Sequence, residues 1–326
     1  MVNSGIGGQA VIEGIMMRNG GSYAVGVRKP DSAIAVERHA FRSIIDLPGV
    51  MKIPLLRGVV SFIDSLVIGI RCMMISASYF DEESEADRDD ASASLSKEEK
   101  VRREAEKERQ ERLMMTGSVA FSLVFAIAVF MLLPYFLSLL LASFVKSAFA
   151  ISLFEAAVRV LIFIVYLVLI SRMRDIQRTY MYHGAEHKCI NCLEHGMELN
   201  VDNVMKSSRF HRRCGTSFLV YVILISAILL MFVQTGSHIT RIVIRLLLVP
   251  LIAGISYELL RIAGTSDGTL VCILSRPGLA MQKLTTREPD EEMAEVAIAA
   301  VEAVFDWRVF LKEKFPERAG EGVCND

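Results

Sequence analysis

Two short stretches hold the residues of this chain that could do chemistry: Tyr182-His183-Gly184-Ala185-Glu186-His187-Lys188-Cys189 and His211-Arg212-Arg213-Cys214-Gly215-Thr216-Ser217. On a helix, His183 and His187 lie four apart on one face with Glu186 beside them, so two imidazoles can grip one cation next to a carboxylate. The order H-x-x-E-H is that of the inverted zinc-protease motif. His211 and Cys214 follow about 25 residues later, a separation common between ligand pairs. The core ligand set is therefore His183, His187 and Cys214, with His211 as a fourth ligand or as the group that fixes a ring. Zinc is the expected ion and Glu186 the candidate catalytic base. Two other arrangements use the same residues. Cys189-x-x-Cys192 with His211-x-x-Cys214 would make a closed, structural zinc knuckle. In a metal-free polar core, Glu186 or Glu194 would instead hydrogen-bond His183 and His187.

Composition says where these residues must be held. With 52% hydrophobic residues in 326 and a mean hydropathy of +0.41, the chain is too apolar for an ordinary soluble domain and calls for membrane spans. A net charge of -1 disfavours nucleic acid as a partner. Three of the six cysteines, Cys189, Cys192 and Cys214, cluster at the motif, which suits a reduced compartment better than a secreted disulfide framework. Residues 1–10 show no basic head followed by an apolar core, so no cleaved signal peptide is expected.

The positioning elements read as an α-helical integral membrane protein, with about four transmembrane helices in two hairpins and a mixed α/β cytoplasmic portion. Residues 1–53 form a glycine-rich cytoplasmic segment in which 23–27 and 33–36 make a β-hairpin around Arg28-Lys29-Pro30-Asp31-Ser32. Glu13 and Arg18 stand in apolar surroundings there, as a pair or as groups facing the site. Residues 54–80 are apolar but carry Arg57, Asp64 and Arg71 at seven-residue spacing, one stripe on a helix. That pattern predicts a helix lying at the interface or packed beside the spans. Residues 81–116 are an acidic linker followed by the charged helix 97–112.

Apolar blocks 117–144 and 150–170 form the first hairpin (117–171), and 217–233 and 242–260 the second (217–262). Lys and Arg at 97–112, 172–178 and 209–213 set the side of the His/Cys segment 172–216, and of both termini, as cytoplasmic. Arg245 falls inside the fourth block and needs a partner inside the bundle, for which Glu155 is one candidate. In the last segment, 263–326, residues 261–274 read as polar and then β-prone, Pro277-Gly278 as a break, and Asp290 as the start of a helix that docks on the cytoplasmic portion. The tail after Phe315 reads as frayed.

Four motifs in order carry a resemblance: Gly8-Gln9-Ala10-Val11-Ile12-Glu13-Gly14 with Met16-Met17-Arg18, the His183 stretch, His211-x-x-Cys214-Gly215-Thr216-Ser217-Phe218, and Leu284-Thr285-Thr286-Arg287-Glu288-Pro289. Together they resemble the DUF1385 family of bacterial membrane proteins (YqhQ type), whose members are predicted to be metal-dependent enzymes. The resemblance implies that Glu194, Asn203, His211 and Cys214 belong to the site pattern and that Cys189 and Cys192 do not. Arg287 joins Glu13, Arg18, Glu194 and Asn203 as a further polar site candidate. Two functions follow as expectations. One is a zinc-dependent enzyme, a hydrolase, at the cytoplasmic face of the bacterial cytoplasmic membrane. The other is a non-enzymatic scaffold or accessory factor working with membrane-protein biogenesis or quality-control machinery. Membrane lipid is a partner in both.

Overall fold

The structure, a computed structural model, describes residues 2–45, 49–86, 97–233, 237–265 and 268–316. The chain forms two compact units, each discontinuous: Met1–Phe80 with Leu167–Ile225 and Leu247–Asp326, and Asp81–Tyr166 with Ser226–Leu246. They cut across the consecutive segments expected from the sequence.

The first unit is built on an antiparallel meander, β1 (Ile6–Val11), β2 (Gly14–Asn19), β3 (Ser22–Arg28) and β4 (Ile34–Ala40), in sheet order 1-2-3-4. The expected hairpin is the β3–β4 pair, whose turn is held by Lys29 N–H to Ala33 O and by the Asp31 carboxylate accepting from Ala33 N. The glycine-rich stretch before it also pairs, as strands β1 and β2. Its tight turn places Glu13 in the left-handed region (φ 47°).

Alternation along the strands distributes side chains to two layers. Ile15 and Met17 join a core with α5 (Arg174–Glu194), α6 (Val201–Lys206), α10 (Glu291–Glu302) and α11 (Trp307–Lys314). Met16, Tyr23, Val25 and Val27 face Ile68 and Cys72 of α1 (Pro54–Ala86). Both faces of the central strands are thus covered, and their sequence lacks the polar alternation of an exposed sheet. Asp290 caps α10 by accepting from Met293 N at 2.8 Å, with Glu291 and Glu292 in the first turn, as the sequence predicts.

The charges of α1 have separate fates. Arg57 makes a bidentate pair with Glu258 of α8 (His238–Thr265), with contacts of 2.7 to 3.0 Å. Asp64 is buried and accepts from Ser43 Oγ and Ile44 N, while Arg71 is exposed. The 81–86 part of the acidic piece continues α1, and 87–96 lies outside the described residues, as does the tail beyond 316.

The β-prone reading of 261–274 and the break at Pro277-Gly278 are corrected. Most of this stretch is helical, and α9 (Thr269–Thr285) runs through Pro277. Its buried positions Val271, Ser275, Gly278, Gln282 and Thr285 form one face, while Pro277 is exposed on the opposite side. Packing of that face outweighs the one hydrogen bond that proline forfeits.

Among the described residues, four helices are long and apolar enough to cross a membrane: Pro54–Phe80, Thr116–Ala142, Ala148–Ile170 and His238–Gly264. Three correspond to expected spans. The expected span 217–233 is the shorter α7 (Gly215–Met231), and the helix expected at the interface has the length of a span.

In the second unit, α2 (Lys97–Ile127) joins the charged arm to the first apolar block without interruption. A π-helical stretch, Ala128–Leu132, leads into α3 (Leu133–Ala142), followed by α4 (Ala148–Ile170). The widened turn presents a backbone carbonyl, Phe130 O, to Arg159 Nε at 3.1 Å. The expected pairing of Arg245 with Glu155 is present, with contacts of 2.7 and 2.8 Å, and Arg159 Nη2 adds a third at 2.8 Å.

Candidate functional site

Helix α5 brings the motif together. His183 Nδ1 lies 2.9 Å from Thr285 O and His187 Nδ1 lies 2.7 Å from Arg209 O. A carbonyl only accepts, so both Nδ1 atoms carry hydrogen and both Nε2 atoms are turned the other way. His183 Nε2 is 3.2 Å from Cys214 Sγ, and ligand atoms of His183, His187 and Cys214 all lie within 4.8 Å of one another. Among the described residues this is the one such group of three or more. Cys214 stands immediately before α7, where Thr216 N–H points to its sulfur at 3.4 Å and Thr216 Oγ1 lies at 2.7 Å. A helix N-terminus favours the thiolate.

The electrostatics follow from these contacts. Burial pushes the Cys214 thiol up, but the facing imidazoles pull it well below the usual thiol range. Burial pulls the His183 imidazole down, yet Cys214 and Glu186 raise it to about 10. Burial lifts the Glu186 carboxyl, against the pull of the two histidines. The Gly8 backbone lies against this carboxylate, whose Oε2 is buried with no hydrogen-bond partner among the described residues. A Cβ at Gly8 would sit 2.7 Å from Glu186 Cγ, so the bare backbone of β1 is what lets the carboxylate lie there.

Two backbone segments that present carbonyls to the histidines are clamped to α5. Lys188 Nζ donates to Met205 O and Ser207 O at 2.8 and 2.9 Å, and Asn191 Nδ2 donates to Ser208 O and Phe210 O at 2.6 and 2.9 Å. Arg287 N–H donates to Tyr180 O, and Arg209 Nη1 to Thr286 O, each at 2.9 Å.

His211 stands beside the donor group, its ring centroid 5.8 Å from that of His187. Its Nε2 donates to Glu194 Oε2 at 3.2 Å, and its Nδ1 accepts from Arg213 N at 3.4 Å. Glu194 also accepts from Ser4 N, Ser4 Oγ and Arg213. Gln282, fully buried, bridges the His211 backbone from both its amide atoms.

The remaining candidates are not in the donor group. Glu13 pairs with Arg178 and accepts from Tyr182 Oη at 3.3 Å, so it is not the ion pair of Arg18. Arg18 stacks on Phe41, with its guanidinium carbon 3.4 Å from the ring centre. Asn203 Nδ2 donates to Glu198 O at 3.0 Å and Arg287 Nη2 to Ser171 O at 3.1 Å, both structural roles. The knuckle is not formed, because Cys189 and Cys192 are buried in the hydrophobic core behind α5. The sequence reading missed Gly8, Lys188, Asn191, Arg213 and Gln282. Lys188 and Asn191 could have been found from their spacing on the His187 side of the helix. The carbonyls of Thr285 and Arg209 have no side-chain signal.

The Glu194 cluster makes the fold acid-sensitive. Burial raises the Glu194 carboxyl, but His211 and Arg213 outweigh it and hold it at about 2. His211 is itself lowered, chiefly by burial, so it donates as a neutral imidazole while Arg213 supplies the counter-charge. Stability from Glu194 is full above its unfolded value near 4.5 and is lost as pH falls toward 2. His211, kept neutral in the fold, adds a penalty once pH drops below its unfolded 6.5. Thermal unfolding in detergent should therefore show a midpoint that declines below about pH 6.5 and falls again below about 4.5. Glu194→Gln should remove the lower limb, and retention of that limb would count against this assignment.

The chain belongs to the DUF1385 family, described as proteins of unknown function, whose family pattern matches residues 53–307. It is similar to a Bacillus subtilis (strain 168) protein described as uncharacterized protein YqhQ, at 32% identity over 297 residues, covering 90% of this chain and 89% of that one. No solved structure matches it.

Proposed function

We propose that this protein is a membrane-embedded, zinc-dependent hydrolase whose centre is His183, His187 and Cys214, with Glu186 as general base. One observation carries the reading: both histidines spend Nδ1–H on backbone carbonyls, so two Nε2 atoms and one sulfur converge in a buried site. Backbone-anchored imidazoles of this kind typify metal ligands. Around a tetrahedral zinc, nitrogen and sulfur ligands lie roughly 3.5 Å apart, which the 3.2 Å contact between His183 and Cys214 approaches. Three protein ligands leave a fourth position open, and a bound ion would polarise a substrate carbonyl and acidify a water. Glu186 Oε2, buried and unpartnered, is the acceptor for that proton.

The membrane arrangement that fits is multi-pass in the bacterial cytoplasmic membrane, with both termini and the metal centre cytoplasmic. The sheet of residues 6–40 packs on α5 and α10, so an even number of crossings must separate these elements. The α2–α3 and α4 pair supplies two crossings before α5, and α7 and α8 two more after it. Helix α1, covered by the sheet along Ile68 and Cys72, is then the packed, non-crossing helix despite its length.

Elemental analysis of purified protein tests the centre. Wild type and Glu186→Gln should each carry about one zinc, and Cys214→Ser should lose most of it. Deletion-strain complementation should fail for metal-bearing Glu186→Gln. Full complementation by that variant would favour the scaffold, and zinc-free wild type would dismiss the centre.

A further inference from the structure

A cavity of about 510 Å³, within the range of small-ligand pockets, opens next to the candidate centre in the first unit. Two of its wall residues touch that centre's surroundings. Gly8 lies against the Glu186 side chain, and Arg213 precedes Cys214 and pairs with Glu194. A third wall residue, Arg18, is half-buried and makes no ion pair among the described residues. Its guanidinium carbon stands 3.4 Å from the Phe41 ring centre, and its Nε reaches only Gly20 O at 3.4 Å. The one carboxylate on the wall, Asp64, accepts from Ser43 and Ile44; it acts on Arg18 through space but makes no direct ion pair with it. With no direct carboxylate contact among the described residues, this half-buried guanidinium keeps N–H donors available for an anion. The opposite wall comes from α1 and from Tyr257 of α8, both helices of membrane-crossing apolarity.

We propose that this cavity is the substrate pocket of the centre and that it takes the phosphate-bearing headgroup of an anionic lipid, with Arg18 as the residue that selects it. The assignment to a substrate rests on the hydrolase reading; the binding itself does not. A planar guanidinium matches a phosphate diester through paired N–H donors. The acyl chains would follow the apolar helices that form the wall. A phosphate held at Arg18 would place the ester linkages of the same lipid toward Gly8 and Glu186.

The test uses the full chain in neutral detergent, with phosphatidylglycerol and phosphatidylcholine as probes read by native mass spectrometry. Wild type should retain phosphatidylglycerol at least about tenfold better, the scale of one charge-assisted contact. Arg18→Gln should abolish that preference. Gly7→Leu tests the space without removing charge: Gly7 is the cross-strand neighbour of Arg18 on the cavity wall, and a Cβ there meets nothing within 4 Å. It should weaken phosphatidylglycerol to a similar degree while leaving the thermal midpoint unchanged. Equal retention of the two lipids by wild type, or wild-type behaviour in both variants, would overturn the proposal. Displacement of the lipid by millimolar inorganic phosphate would overturn it too, by making free phosphate the ligand. Zinc is measured on the same samples. Lipid selection by zinc-free protein would sink the hydrolase and spare the pocket, and zinc without selection would do the reverse.

Discussion

Glu155→Gln should destabilise the protein by about 3–5 kcal/mol, the range seen when one member of a buried charge network is removed. The single carboxylate takes hydrogen bonds from Arg159 and from both terminal nitrogens of Arg245, and all three residues are about 5% exposed or less. Glutamine has nearly the same shape but leaves two guanidinium groups facing each other without a counter-charge. Apolar helices give them no water to turn to. Arg159→Leu is the control. It leaves the bidentate Glu155–Arg245 pair intact and should cost no more than about 1–2 kcal/mol. Thermal or denaturant unfolding in micelles measures both, and a Glu155→Gln protein no weaker than Arg159→Leu would show that the charges are solvated.

The second large effect is expected from one methyl group. At Gly184 a Cβ would stand 2.0 Å from the backbone oxygen of Arg287 and 3.4 Å from Pro289 Cδ. The obstacle is main chain, so no side-chain rotation relieves it; α5 and the 285–289 segment must separate. Overpacking commonly costs about 1–3 kcal/mol, and a backbone clash belongs at or above the top of that range. The separation would also draw Thr285 O away from His183, so, with the zinc centre proposed above, Gly184→Ala should lose zinc as well as stability. Zinc content equal to wild type, with an unshifted midpoint, would mean that the segment has other places to go.

Much of the donor group was legible because helical spacing alone puts His183 and His187 on one face, and Cys214 follows in a compact pair. The link between Arg245 and Glu155 was legible for a different reason: charges are so sparse in apolar blocks that few pairings are open. The β3–β4 hairpin and the Asp290 cap announced themselves through turn and cap chemistry. By contrast, β1 and β2 were hidden in Gly7-Gly8 and Met16-Met17, residues with weak strand preference that pair because the sheet has helices to cover it. Helix α9 was misread because Pro277 and Gly278 are strong local signals, overridden by a buried face whose partners lie elsewhere in the chain. The place of His211 depended on Ser4, Glu194 and Gln282 meeting from three distant stretches, which no local pattern encodes.

The meander has a consequence for how the protein is made. Its four strands are complete by residue 40, yet the surface they cover belongs to α5 and, last of all, to α10 at 291–302. At an elongation rate of roughly 5–20 residues per second, about 260 further residues take roughly ten to fifty seconds to emerge. Throughout that interval Ile15 and Met17 face outward from the nascent chain, and the first segment to be synthesised is among the last to find its final contacts. The N-terminal end must therefore wait, unpaired on one face, while the apolar helices are synthesised behind it.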